Sequence, residues 1–163
     1  MRKVNLDQLG EMLGQPWLAT LATYRRDGSV LLAPVWFEWT GTEFLVSVVR
    51  GDWKERHLRA NPHAVLCIAE EETFPGRMVE ASGGVTVEPD PGAEVIQRIA
   101  TRYLGAELVR QWVDQYGSFE WEIMRMVPDR VRILDHRDEP FLREAKPQYL
   151  TKDFDPADAS LDS

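Results

Sequence analysis

Hydrophobic positions along this chain change period three times. Up to Gly14 they are spaced as in a short helix, with Asn5 or Asp7 as cap, Met12 and Leu13 on the apolar side, and Gly14 with Pro16 as the stop. From Trp17 the pattern turns to strand. Residues 17–23 and 30–39 are β-rich runs, and Asp27-Gly28 between them reads as a hairpin turn. Thr40-Gly41-Thr42 then leads into a third strand over 43–49, so a three-stranded meander is expected. Pro34 cannot donate to a ladder, which predicts an edge, a bulge or a break there. The stretch 30–37 is apolar at nearly every position and needs cover on both faces. A barrel interior would cover one face, and a helix or a second copy of the chain the other.

Asp52-Trp53-Lys54-Glu55 has the form of a capping box, which predicts a helix over 53–60 that stops before Asn61-Pro62. Strands resume at 64–68 and at 77–87. The acidic run Glu70-Glu71-Glu72 between them reads as a solvated turn. Ser82-Gly83-Gly84 marks a bulge or sharp bend in the longer strand. From Gly92 the period is helical: Val95, Ile96, Ile99, Ala100, Tyr103 and Leu104 form one stripe, and Leu108, Val109 and Trp112 form another beyond Gly105. Two short helices fit. Strands return at 121–126 and 131–134, with a turn at Pro128-Asp129, and the rest of the chain is charged and aperiodic.

About six or seven strands against three to four short helices, clustered rather than alternating, exclude a doubly wound parallel sheet. The expectation is a mainly β protein, an antiparallel barrel with helical insertions. Residues 1–140 would form one domain, followed by an acidic tail over 141–163 whose last ten residues are expected to be mobile.

Charge and cysteine usage narrow the function classes. With 27 acidic against 19 basic residues the net charge is −8, which opposes a nucleic-acid backbone. Asp153, Asp155, Asp158 and Asp162 carry half of that excess, so the body is nearer neutrality. The single cysteine, Cys67, rules out an internal disulfide or a Cys-x-x-Cys motif and reads as a small buried hydrophobe. No window approaches the ~18 to 20 apolar residues of a membrane span, and the N-terminus lacks a signal-like apolar stretch, so cytoplasmic residence is expected.

Several catalytic signatures are missing: Gly-x-Gly-x-x-Gly, Gly-Lys-Ser/Thr, Gly-x-Ser-x-Gly and His-Glu-x-x-His. His57, His63 and His136 are too dispersed for a metal cluster. The segment from Arg50 to Arg56 is more informative, because it sets Arg50 and Lys54 around a helix N-terminus that follows a strand directly. Free amide N–H groups and the helix dipole make that an anion site, with Lys54 and Arg50 as charged donors. Asp52 opposes the anion unless it turns back to cap the helix. Trp36, Trp39 and Trp53 flank the same elements, and flat apolar walls beside an anion site suit a heteroaromatic phosphate.

Four stretches together resemble the split β-barrel flavin and deazaflavin oxidoreductases of the pyridoxamine 5'-phosphate oxidase-like superfamily. They are Leu18-Ala19-Thr20-Leu21-Ala22-Thr23 before the Asp-Gly turn; Ala33-Pro34-Val35-Trp36; Lys54-Glu55-Arg56-His57-Leu58 with Asn61-Pro62; and Arg102-Tyr103-Leu104-Gly105. The third and fourth look like the actinobacterial branch that binds coenzyme F420. The resemblance implies an FMN-type split barrel and a homodimer with cofactor clefts at the subunit interface. It implies the cofactor phosphate near Lys54, with Pro34, Val35 and Trp36 near its rings; Arg50 and Trp53 complete the expected cofactor-binding set. His57 stands where many relatives carry Asn. The Arg- and Trp-bearing substrate motif of true pyridoxamine phosphate oxidases is not recognisable after Val131, so vitamin B6 oxidation is not expected. Hydride transfer from reduced coenzyme F420 to an unsaturated small-molecule acceptor is the leading expectation. The alternatives are an FMN enzyme and a non-catalytic barrel that holds a cofactor or haem.

Overall fold

A computed structural model describes residues 10–70, 76–137, 139 and 140. The proposed caps Asn5 and Asp7 and the tail 141–163 lie outside the described residues. The elements run α1 (Gly10–Gly14), β1 (Ala19–Tyr24), β2 (Val30–Val35), β3 (Glu38–Trp39), β4 (Phe44–Val49), α2 (Trp53–Ala60), β5 (His63–Ala69), β6 (Arg77–Pro89), α3 (Glu94–Tyr116), β7 (Trp121–Met126) and β8 (Arg130–Asp135). All strand pairs are antiparallel, in the order β2-β1-β5-β6-β7-β4-β3, with β8 added to β6. The sheet curls into a split barrel, as expected from sequence. Among the described residues no helix is long and apolar enough to cross a membrane.

The expected meander does not form. Among the described residues β2 pairs with β1 alone, whereas β4 pairs with β3 and β7. The chain leaves the first ladder at Trp36-Phe37, where the Phe37 ring enters the core and its N–H donates to Tyr103 Oη at 3.2 Å. Burial of Phe37 therefore overrides continuation of the strand. Pro34 is tolerated because β2 is a terminal strand of the sheet.

The long strand β6 changes neighbours where the glycines lie. Residues 77–82 pair with β8 and residues 85–89 with β7. The turn between β7 and β8 crosses over Gly83, and a Cβ there would sit 2.8 Å from the carbonyl oxygen of Val127. That neighbour is backbone and cannot swing away. Gly83→Ala is expected to destabilise the protein by about 1 to 2 kcal/mol, read as a lower urea midpoint.

Inward rows of the strands, including Leu21, Val46, Leu66, Ile68, Val79 and Met124, join Phe37 and Phe44 in one core. Cys67 is on the outward row of β5 and only half-buried, because Ala64, Leu66 and Ile68 take the inward positions. Burial, followed by the Glu80 charge, still raises its thiol pKa, so the thiolate is disfavoured. Glu70 is not solvated as the sequence suggested. It accepts from the Arg77 backbone N–H at 2.8 Å and from its guanidinium, closing the neck of the β5–β6 connection. Glu71 and Glu72 lie outside the described residues.

Helix α3 is capped by buried Asp90, which accepts from the N–H groups of Val95 and Ile96 at 3.1 and 3.0 Å. Gly105 interrupts it at φ 79°, ψ 167°, a conformation open to glycine and closed to other residues. The two helical stripes expected from sequence are thus the two halves of one broken helix.

Candidate functional site

A cleft of about 420 Å³ opens where the ends of β2 and β4 meet the helices. Leu18, Pro34, Val35 and Trp36 form one part of its lining and Ser47, Val48 and Val49 of β4 another. Asp52 and Lys54 enter from the start of α2, Ile96 and Trp112 from α3, and Trp121 from β7.

Gly51, at φ +81°, turns the chain out of β4 so that α2 starts against the cleft. Asp52 is the N-cap, and its Oδ1 accepts from the Trp53 N–H at 2.7 Å. The reciprocal arm comes from Glu55, which accepts from the Gly51 N–H at 3.1 Å, one residue earlier than a standard capping box. The second Asp52 oxygen, Oδ2, accepts from Lys54 Nζ at 2.5 Å, and that ammonium lies 4.6 Å from the Trp53 ring centroid. Lys54 is therefore held in place at the cleft with only 22% of its side chain exposed.

Four of the six residues expected to hold a cofactor line this cleft: Pro34, Val35, Trp36 and Lys54. Arg50 and Trp53 do not. The Arg50 guanidinium turns to Glu122 at 3.1 Å and Glu120 at 3.3 Å, and Trp53 packs on the barrel core and near His57. Attraction to Glu122, which is 1% exposed, draws Arg50 away from the helix N-terminus. His57 is likewise engaged, with Nδ1 3.1 Å from the hydroxyl of buried Thr23.

Behind the cleft, the Arg-Tyr pair of α3 holds the end of β2. Tyr103 stacks on Trp36 at 5.1 Å and 12°, and donates its hydroxyl hydrogen to the Trp17 carbonyl at 2.7 Å. The Arg102 guanidinium lies 5.0 Å from the Phe37 ring. Neither residue is part of the cleft lining; both fix residues that are, or that adjoin it.

Sequence reasoning missed Ser47, Trp112 and Trp121. Ser47 was legible as the single polar side chain in the strand Phe-Leu-Val-Ser-Val-Val, and its buried hydroxyl has no hydrogen-bond partner among the described residues. Trp112 was absorbed into a helical stripe and Trp121 into a strand start.

Beneath the helix, Glu55 is buried against Arg59, which also reaches Glu122 through two bonds of 2.9 Å. Burial pushes the Glu55 carboxyl pKa up, but the Arg59 bond, the Gly51 N–H and the Arg59 and Arg50 charges together hold it below the ordinary value. A folded-state pKa below the unfolded one stabilises above the unfolded value of 4.5 and is lost as pH falls through the folded one. The melting temperature is therefore expected to fall as pH drops below 4.5, and Glu55→Gln to flatten part of that fall.

The profile of the pyridoxamine 5'-phosphate oxidase family matches residues 6–135. The chain belongs to this family. Among solved structures, this pyridoxamine 5'-phosphate oxidase family member is similar to an F420 reductase, at 23% identity and a TM-score of 0.63 over 76% of this chain and 94% of that one. It is similar to an FMN-binding protein from Nostoc punctiforme related to pyridoxamine 5'-phosphate oxidase, at 14% identity and a TM-score of 0.54, covering 76% of each chain. A heme binding protein from Mycobacterium smegmatis matches at 16% identity and a TM-score of 0.56, over 82% of this chain and 55% of that one. At these identities the likeness shows the shared barrel. No curated protein matches the sequence.

Proposed function

We propose that the protein is an oxidoreductase that binds a phosphate-bearing flavin-type cofactor in this cleft, with coenzyme F420 as the first assignment and FMN as the alternative. The observation that carries the reading is a lysine fixed at the start of α2, beside a cleft lined by Pro34, Val35 and Trp36. The donor set fits such a group: an ammonium for its anionic arm, a hydroxyl at Ser47 without a partner among the described residues, and flat apolar walls for its rings. A cofactor of this class supplies hydride transfer to an unsaturated organic acceptor, with a solvent proton completing the two-electron reduction. Lys54 binds and orients the phosphate, Pro34 to Trp36 exclude water from one side of the rings, and Tyr103 keeps Trp36 in register. The similarity to an F420 reductase supports the first assignment over FMN.

The second half of the proposed site is a second copy of the chain. Ala33, Val35 and Phe37 face the core, whereas Val30 and Leu32 are 49% and 63% exposed on the other face of β2. Pro34 on that face also lines the cleft, as does Leu18 at 45% exposure, so a copy docked there would close the cleft. Leu32→Asp is expected to weaken dimerisation at least about tenfold, read by light scattering, and to loosen cofactor binding with it. A wild-type protein that is monomeric at high micromolar concentration would remove the dimer.

The test of function is a parallel fluorescence titration with coenzyme F420 and FMN at low and moderate salt. Micromolar or tighter binding of F420 alone supports the first assignment, and preference for FMN supports the second. Binding of neither overturns the reading in favour of a barrel with another ligand.

A further inference from the structure

Glu122 puts a carboxylate on a core row. Alternation along β7 sets it on the same face as Met124 and Met126, both part of the barrel core, and its side chain is 1% exposed. An apolar residue would be the simpler occupant, since buried ion networks add little net stability over well-packed hydrophobic side chains. What the carboxylate does instead is join two cations of the α2 region. Arg59 Nη2 donates to both of its oxygens at 2.9 Å, and Arg50 Nε donates to Oε1 at 3.1 Å.

Both cations carry the tie onward to the first turn of α2. Arg59 also binds Glu55, and Glu55 accepts from the Gly51 N–H at 3.1 Å. Arg50 directly precedes Gly51, whose φ of +81° sets the direction in which the chain enters the helix. The segment from Arg50 to Glu55 is thus tied at both ends to one residue of β7, and it contains Asp52 and Lys54. Their ion pair cannot do this by itself. Two residues apart on one short segment, they pair with each other wherever that segment lies. The tie to β7 is what relates the ammonium to the opposite side of the cleft, where Trp121 adjoins Glu122.

We propose that Glu122 is a positioning residue of the anion site: through Arg59, Glu55 and Arg50 it seats the first turn of α2, and with it Lys54, against the cleft. This rests on the reading of the cleft as a cofactor site and adds a residue outside the lining that governs its anion affinity. The fork of Arg59 is part of the device, because a guanidinium spans both carboxylate oxygens and still reaches Glu55, whereas an ammonium offers a point charge.

The experiment measures binding of coenzyme F420, FMN and, as a bare anion, inorganic pyrophosphate to the full chain by titration calorimetry. It compares wild type, Glu122→Gln, Lys54→Ala and the double variant. Glu122→Gln keeps the residue's shape and one oxygen acceptor, and the two arginines retain Glu120 and Glu55, so the fold should persist. It should weaken the bound anion about five- to tenfold in the wild-type background and less than about twofold in the Lys54→Ala background, because the effect passes through Lys54. Without any ligand, the Gly51 amide of Glu122→Gln should exchange with solvent about tenfold faster, while amides of β1 and β5 keep their protection. Arg59→Lys should show the same pattern, and it replaces Glu122→Gln if that variant does not fold. Unchanged affinity in Glu122→Gln overturns the proposal, as does equal weakening in both backgrounds; the cofactor reading then still stands if Lys54→Ala weakens F420 or FMN. A protein that takes pyrophosphate with this coupling, but neither F420 nor FMN, upholds Glu122 and removes the cofactor reading. Binding of none of the three overturns both.

Discussion

Phe44→Ala is expected to lower the unfolding free energy by about 3 to 5 kcal/mol. Phe44 is fully buried on β4, with the Trp39 ring 4.5 Å away, the Phe37 ring at 6.1 Å, and Trp39 and Met126 as its cross-strand partners. Truncation removes the ring that those side chains enclose, and three packed elements cannot all collapse into the space. The loss is a large part of the ~5 to 15 kcal/mol by which a domain is stable. It also reaches the cleft indirectly, because Phe37 carries the backbone N–H that Tyr103 accepts. Urea unfolding followed by tryptophan fluorescence measures the change. Phe44→Leu should lose less than about 1.5 kcal/mol, and equal losses for the two variants would show that ring volume is not what matters.

Lys54→Ala is expected to weaken cofactor binding by about 1.5 to 3 kcal/mol, the usual contribution of a charged hydrogen bond, or roughly ten- to a hundredfold and more. The pairing with Asp52 places the effect toward the lower end. An anion approaching Lys54 meets an ammonium already bound by a carboxylate at 2.5 Å, so part of the attraction is used in loosening that pair. The companion variant has the opposite sign. Asp52→Asn keeps a good N-cap, since Asn and Asp rank alike there, while it removes the competing charge, so binding should tighten several-fold. Titration of both variants decides the matter; a Lys54→Ala protein with unchanged affinity takes Lys54 out of the site.

Local chemistry made much of this fold legible. The Asp27-Gly28 hairpin, the helix after Asp52, and the break at Gly105 are each written in a few adjacent residues whose backbone preferences leave little choice. The path of β4 was not legible. Its neighbours are β3 and β7, and β7 begins more than seventy residues later, so no local period encodes the pairing. The short gap at Trp36-Phe37 looked like continuing strand because both residues are apolar. It ends the strand because Phe37 turns into the core.

The site was readable to the same extent. Lys54 and Trp36 were singled out from residue type and placement, Pro34 and Val35 only by the family resemblance, and all four line the cleft. Arg50 turns from the cleft to Glu122, which lies 72 residues away in the chain, and only the β4–β7 pairing brings the two together. Trp112 and Trp121 were hidden for a related reason. Aromatic residues on a helical stripe and at a strand start look like ordinary core, until the fold places them beside one opening.

The break at Gly105 separates two inheritances. A continuous helix would tie residue 112 to residue 99 by a fixed rotation, so that any inserted or deleted residue would turn one half out of phase. With the rotation reset at φ 79°, ψ 167°, the segment after Gly105 can change length or sequence while Ile96, Ile99 and Ala100 stay seated on the barrel. Descendants of this chain can therefore diversify that arm as a replaceable cassette, keeping the barrel constant while the molecule they admit changes.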